Sequence, residues 1–167
     1  MSRNNQVSLA GEFAVLSQLF YAGLDASLTL GNTKGVDIFI SNPENGNQYK
    51  VEVKTKRGFK ISTERCQWGP MYDWQMNEKH EALRDKKLYY CFVRMDNNDG
   101  DIQSKFFIVP SKVVADYVKA EHQWWIEGEG RNETPNRTFR LGTDDEFEYP
   151  VKTPLTEEFE NRWDFLK

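Results

Sequence analysis

Apolar and polar positions alternate most regularly between Lys34 and Arg57. Val36, Ile38 and Ile40 share one parity, and Tyr49, Val51 and Val53 share another a short distance on, the period of half-buried strands. The residues between them include Asn42, Pro43, Asn45, Gly46 and Asn47, a turn composition. A loop over Asn42 to Asn47 then makes an antiparallel hairpin in which Val36 faces Val53, Ile38 faces Val51 and Ile40 faces Tyr49. The same register sets Asp37 opposite Glu52 on the other face. Lys54 stands beside them, because strand side chains repeat every two positions.

Around this hairpin the pattern predicts further elements. A helix is expected from about Leu9 to Ala22, with Ser8 as N-cap and Gly23 as its stop. Phe13, Leu16, Phe20 and Leu24 are expected to pack on the sheet, with Glu12 at the border of that stripe. Leu24 to Leu30 reads as the first strand, Ser62 to Tyr72 as irregular, and Asp73 to Lys87 as a charged helix. Leu88 to Met95 and Ile102 to Val109 read as strands about a turn at Asp96 to Asp101. A helix follows from Pro110-Ser111 to about His122. Beyond Gln123 the pattern gives a short strand at Thr138 to Leu141, an acidic loop to Tyr149, and a terminal helix over Thr156 to Phe165. The order predicts an α/β fold, a mixed central β-sheet flanked by α-helices. One domain over residues 1–167 is expected, with a core at about 8–122 and an irregular extension at 123–167.

Two carboxylates directly opposite each other are unfavourable unless positive charge lies between them. A hard divalent cation supplies it, since Mg²⁺ takes oxygen ligands, commonly one or two carboxylates with waters. Lys54 would assist the attacking water or stabilise charge developing on a phosphate. Those are the parts of metal-assisted phosphodiester hydrolysis.

The order Asp37, a hairpin, then Glu52-Val53-Lys54 resembles the D…(D/E)xK motif of the PD-(D/E)xK nuclease superfamily, which has the restriction-endonuclease-like fold. Glu12, within Gly11-Glu12-Phe13-Ala14-Val15, is similar to the helical Glu that many members carry upstream. The resemblance covers roughly residues 8–95, and it departs from the pattern at Val36, where the family often has proline. It implies Asp37 and Glu52 as ligands of Mg²⁺ or Mn²⁺, the Val53 carbonyl as a further ligand, Lys54 as the catalytic lysine and Glu12 as an accessory acid. The implied activity is a DNA endonuclease of restriction, repair, junction-resolving or mobile-element type. Each residue also has a plainer use. Glu and Lys alternate on many salt-bridged strand faces, and an acid in a first helical turn favours the helix dipole.

Composition narrows the classes. With 38% apolar, 29% charged and 14% aromatic residues the chain folds rather than staying disordered. A net charge of −4 counts against a protein that coats nucleic acid through bulk charge. Local charge runs the other way, because Lys50 to Lys60 holds Lys50, Lys54, Lys56, Arg57 and Lys60 against Glu52 alone. Lys56, Arg57 and Lys60 are the expected phosphate contacts. Lys79, Arg84, Lys86 and Lys87 form a second basic cluster, and Glu121 to Tyr149 an acidic one read as a solvated face. Trp68, Tyr72 and Trp74 suit packing, or stacking on an unpaired base.

Cys66 and Cys91 have no metal-ligand spacing, and the chain shows no apolar run of membrane length. A cytoplasmic protein is expected. Its partner is DNA, with RNA left open and no membrane contact. Symmetric cutting of both strands would require two sites and so a homodimer. Two other readings stand beside the nuclease. One is a non-catalytic nucleic-acid-binding or assembly module on the same fold. The other is a chance ExK in an unrelated α/β protein, which would leave Asp37 and Glu52 apart.

Overall fold

Nothing in the polar leader before Leu9 breaks a helix, and α1 (Arg3–Tyr21) runs through it. Ser8 therefore lies inside the helix rather than capping it, and Glu12 lies in mid-helix, well past the first turn. The fold is that of a computed structural model, which describes residues 3–29, 35–59, 68–143 and 148–167. The expected stop holds. Gly23 adopts φ 80°, the Leu24 N–H reaches the Leu19 carbonyl at 3.0 Å and the Gly23 N–H reaches that of Phe20 at 3.0 Å, a Schellman ending.

The buried stripe of α1 is Gly11, Val15 and Leu19; of the residues expected to pack on the sheet, Leu24 is in the core and Leu16 packs against it. Phe13 and Phe20 are about half exposed, at 54% and 55%. Gly11 explains the rotation. A Cβ at this position would overlap Thr55 Oγ1 and stand only 2.8 Å from Thr55 Cβ, so the helix backbone closes on the strand carrying Thr55 along its glycine face. The phenylalanine stripe is turned outward.

The strands are β1 (Asp25–Leu28), β2 (Ile38–Ser41), β3 (Gln48–Arg57), β4 (Met71–Asn77), β5 (Leu88–Asn98), β6 (Asp101–Pro110) and β7 (Asn136–Gly142), with α2 (Ser111–Ile126) between the last two. Five of them form one sheet in the order β1-β2-β3-β5-β6. β3 and β5 run parallel and the other neighbours antiparallel, so the sheet is mixed, as expected. Ile38 pairs with Val51 and Ile40 with Tyr49, the register read from the alternation. The Asn42 N–H to Asn47 carbonyl bond at 2.8 Å closes the loop. The β5–β6 hairpin turns more tightly than expected, at Asp99 and Gly100, both with positive φ, as a two-residue hairpin turn requires.

The chain forms two compact units. The first comprises Met1–Phe59, Lys86–Pro110 and Phe159–Lys167. Its core joins Val15 and Leu19 of α1 to Ile38, Ile40, Val51, Val53, Cys91, Val93, Phe106 and Ile108 on one face of the sheet, with Leu166 added by the C-terminus. The expected terminal helix is two short 3-10 turns, Thr156–Glu158 and Trp163–Leu166. Between them Phe159 accepts a hydrogen bond from the Ile108 N–H at 2.9 Å.

The second unit comprises Lys60–Asp85 and Ser111–Glu158, with β4 and β7 paired antiparallel. The expected helix over Asp73 to Lys87 is instead β4 and a 3-10 turn, Glu78–Ala82. Tyr72, Trp74 and Met76 are buried at period two, and that strand pattern prevails. Buried His80 closes a capping box with Asn77. The acidic stretch is partly internal. Arg140 Nη1 donates to Glu121 at 2.5 Å and Tyr149 donates to the same oxygen at 3.0 Å, while Arg137 bonds Glu81 and Glu133. His122 Nε2 lies 2.7 Å from Glu133. Tyr72 and Trp74 pack internally, and Trp68 packs edge-on to Trp124 and Tyr149.

Candidate active site

The site lies where β2 has just begun and β3 runs on beyond it. The Asp37 N–H donates at 2.9 Å to the carbonyl of Val51, the residue that pairs with Ile38, so Asp37 stands just before the β2–β3 ladder and is held against β3, the strand that carries Glu52 and Lys54. The Asp37 carboxylate then turns along the strand edge, where Oδ2 accepts the Val53 N–H at 2.6 Å. The N–H and C=O of a strand residue point to the same edge, so the Val53 carbonyl lies on the side that Asp37 occupies.

Glu52 is almost wholly buried, at 3% exposure. A buried carboxylate is stable only when paired, and Lys54 Nζ lies 2.5 Å from its Oε1. Lys54 itself remains partly open to solvent. Gly35, at φ 77°, brings the turn before β2 close to the second Glu52 oxygen; a Cβ there would stand 3.5 Å from Oε2.

Glu12 joins this group from α1. Its carboxyl is held above the usual glutamate range, first by burial and then by the Asp37 charge, with the Lys54 ammonium acting in the opposite direction. Gly11 is what lets the helix carrying Glu12 come so near β3.

Two residues that sequence reasoning missed stand on the Glu52 face of the sheet. Tyr90 is the register partner of Glu52 across the parallel β3–β5 pair and is buried. Burial, then the Glu52 charge, push the Tyr90 hydroxyl far above the ordinary phenol range, so it stays protonated. Arg94, also buried, is the register partner of Lys56. Neither partner is readable from the ExK strand alone, because the identity of the neighbouring strand depends on sheet order. Lys56 and Arg57 are exposed at the far end of β3, and Lys60 lies outside the described residues.

Among the described residues, no three His, Cys, Asp or Glu side chains converge as a metal-binding group. The oxygen donors of this region, the Asp37 carboxylate at the Val53 N–H, the Glu52 carboxylate and the Val53 carbonyl, are all hard atoms. They fit Mg²⁺ or Mn²⁺ in kind, since such ions commonly use one or two carboxylates and complete their shell with water. No helix among the described residues is long and apolar enough to cross a membrane.

No protein-family profile matches the chain, and no curated protein sequence matches it. Among solved structures, the bacterial homing endonuclease I-Ssp6803I is similar over 99% of this chain and 92% of its own, with a TM-score of 0.53 at 12% identity. This is a likeness of fold, and the mixed α/β architecture on a five-stranded sheet is endonuclease-like.

Proposed function

We propose that the protein is a metal-dependent endonuclease of the PD-(D/E)xK type that hydrolyses DNA phosphodiester bonds. The observation that carries this reading is that one strand, β3, holds the Glu52–Lys54 ion pair and binds the Asp37 carboxylate at its Val53 N–H, with Glu12 of α1 under the charges of Asp37 and Lys54. Asp37, Glu52 and the Val53 carbonyl would hold Mg²⁺ or Mn²⁺. A divalent ion bound there supplies Lewis acidity and a water of lowered pKa.

Lys54 brings positive charge to the side where negative charge develops on the phosphate. Glu12, whose carboxyl keeps its proton to higher pH than usual, is suited to take up and release a proton beside that lysine. Tyr90, protonated and buried on the neighbouring strand opposite Glu52, would steady that carboxylate. Lys56, Arg57 and Lys60 would hold the DNA backbone through its phosphates. The fold shared with a homing endonuclease adds weight to the mobile-element type among restriction, repair and junction-resolving alternatives.

The test is incubation with supercoiled, linear, single-stranded and branched DNA in Mg²⁺ or Mn²⁺, with and without chelator. Metal-dependent cutting is expected, and the panel ranks the substrates. A second reading has one observation in its favour. The direct Glu52–Lys54 ion pair is what a non-catalytic nucleic-acid-binding or assembly module on this fold would retain. DNA binding without cutting under every metal condition would select that module.

A further inference from the structure

Asp37 stands where the backbone is turned. In an antiparallel ladder a hydrogen-bonded residue sends its N–H and C=O to the same neighbour. At Asp37 they diverge, because its N–H donates to the Val51 carbonyl of β3 at 2.9 Å while its C=O accepts the Thr29 N–H at 2.9 Å. Thr29 follows directly on β1, which lies on the other side of β2 from β3. The β1–β2 ladder ends at Leu28 opposite Ile38, so Thr29 is the next residue to meet Asp37. It makes a second bond there, since its Oγ1 hydroxyl donates to the Val36 carbonyl at 2.8 Å.

The Val36 and Asp37 carbonyls belong to the two peptide groups that flank the Asp37 Cα. Peptide groups are planar, so holding both fixes the two backbone dihedrals between them and hence the direction in which the side chain leaves. That side chain is the carboxylate whose Oδ2 accepts the Val53 N–H at 2.6 Å. We propose that Thr29 is a positioning residue for divalent-metal binding, its hydroxyl holding the Val36–Asp37 peptide in the turned orientation that aims the Asp37 carboxylate. The proposal rests on the nuclease reading, in which Asp37 is a metal ligand. Any residue but proline could supply the N–H bond, whereas the bond to Val36 needs the hydroxyl, so the identity of this side chain bears on the site.

Mn²⁺ binding to the full chain without DNA, followed by electron paramagnetic resonance, tests it on wild type, Thr29→Val, Thr29→Ser and Asp37→Asn. The Mg²⁺ dependence of DNA cleavage is read on the same samples. Thr29→Val keeps the shape and the N–H but lacks the hydroxyl, which Thr29→Ser retains. Far-UV circular dichroism verifies each fold, and Thr29→Ala carries the test should the valine variant not fold. Thr29→Val is expected to bind Mn²⁺ about tenfold or more weakly and to need correspondingly more Mg²⁺ for half-maximal cutting, with Thr29→Ser close to wild type in both. Mn²⁺ binding as tight in the folded hydroxyl-less variant as in wild type, or as weak in Thr29→Ser as in Thr29→Val, overturns the inference and leaves the nuclease reading in place. A wild type that binds no Mn²⁺, or binding that Asp37→Asn leaves unchanged, overturns that reading and the inference with it.

Discussion

Glu52 is a carboxylate inside a sheet, and Lys54 is what keeps it there. Replacing Lys54 with alanine removes the cation paired with this buried charge, so Lys54→Ala is expected to lower stability by ~1–3 kcal/mol, read from urea denaturation. Glu12 makes a separate prediction with a definite sign. Its folded pKa is raised, so the native state binds that proton more tightly than the unfolded chain. Stability therefore falls as pH rises from the ordinary glutamate value through the raised one. Glu12→Gln removes this loss. The variant is expected to be the more stable at neutral pH, with the difference closing as pH falls through that window. Thermal melts of both proteins across the acid range check it. The pairing of β2 with β3, which brings Asp37 against the strand of Glu52 and Lys54, was legible in the sequence because it follows from period-two alternation and a loop of definite length. Glu12 entered only through the family resemblance, and Tyr90 had no signal, since its place beside Glu52 depends on which strand adjoins β3.

Helix α1 is positioned by an absent side chain. Gly11 allows an approach that a Cβ, overlapping Thr55 Oγ1 and 2.8 Å from Thr55 Cβ, would forbid. Gly11→Ala is expected to force helix and strand apart at a cost of ~1–3 kcal/mol, measured by denaturant midpoint, and to slow cleavage as Glu12 retreats from Lys54. The same glycine explains why the sequence misplaced the helix face. Apolar spacing marks two stripes on α1, and hydrophobicity favours the phenylalanines, whereas close packing selects the stripe with no side chain in the way. β4 was misread for a related reason. Tyr72, Trp74 and Met76 alternate as a strand, but His80 and Leu83 continue an apolar spacing that also suits a helix, and the pairing with β7 decides between them. The β2–β3 and β5–β6 hairpins were legible because their turn residues admit few alternatives.

For the molecule as a whole, an acidic protein that binds DNA must do so through a local feature. The exposed end of β3, with Lys56 and Arg57 beyond the candidate site, is the feature we propose. Lys56→Ala and Arg57→Ala are each expected to weaken DNA binding without regard to sequence and to reduce the salt-dependence slope by about 0.9 for each phosphate left without its cation, as measured by fluorescence anisotropy over a salt series. The second basic cluster is less free to serve: Arg84 and Lys112 both pair with Asp116, and Lys87 lies over the Tyr49 ring at 4.5 Å. The most direct test of the account is DNA cleavage by wild-type protein and Lys54→Ala in parallel, with Mg²⁺ or Mn²⁺ and with binding measured on the same samples. Cutting by the wild type, lowered about a hundredfold or more in a folded Lys54→Ala that still binds DNA, is the predicted result. Cutting that survives unchanged in Lys54→Ala would contradict the assignment of this site.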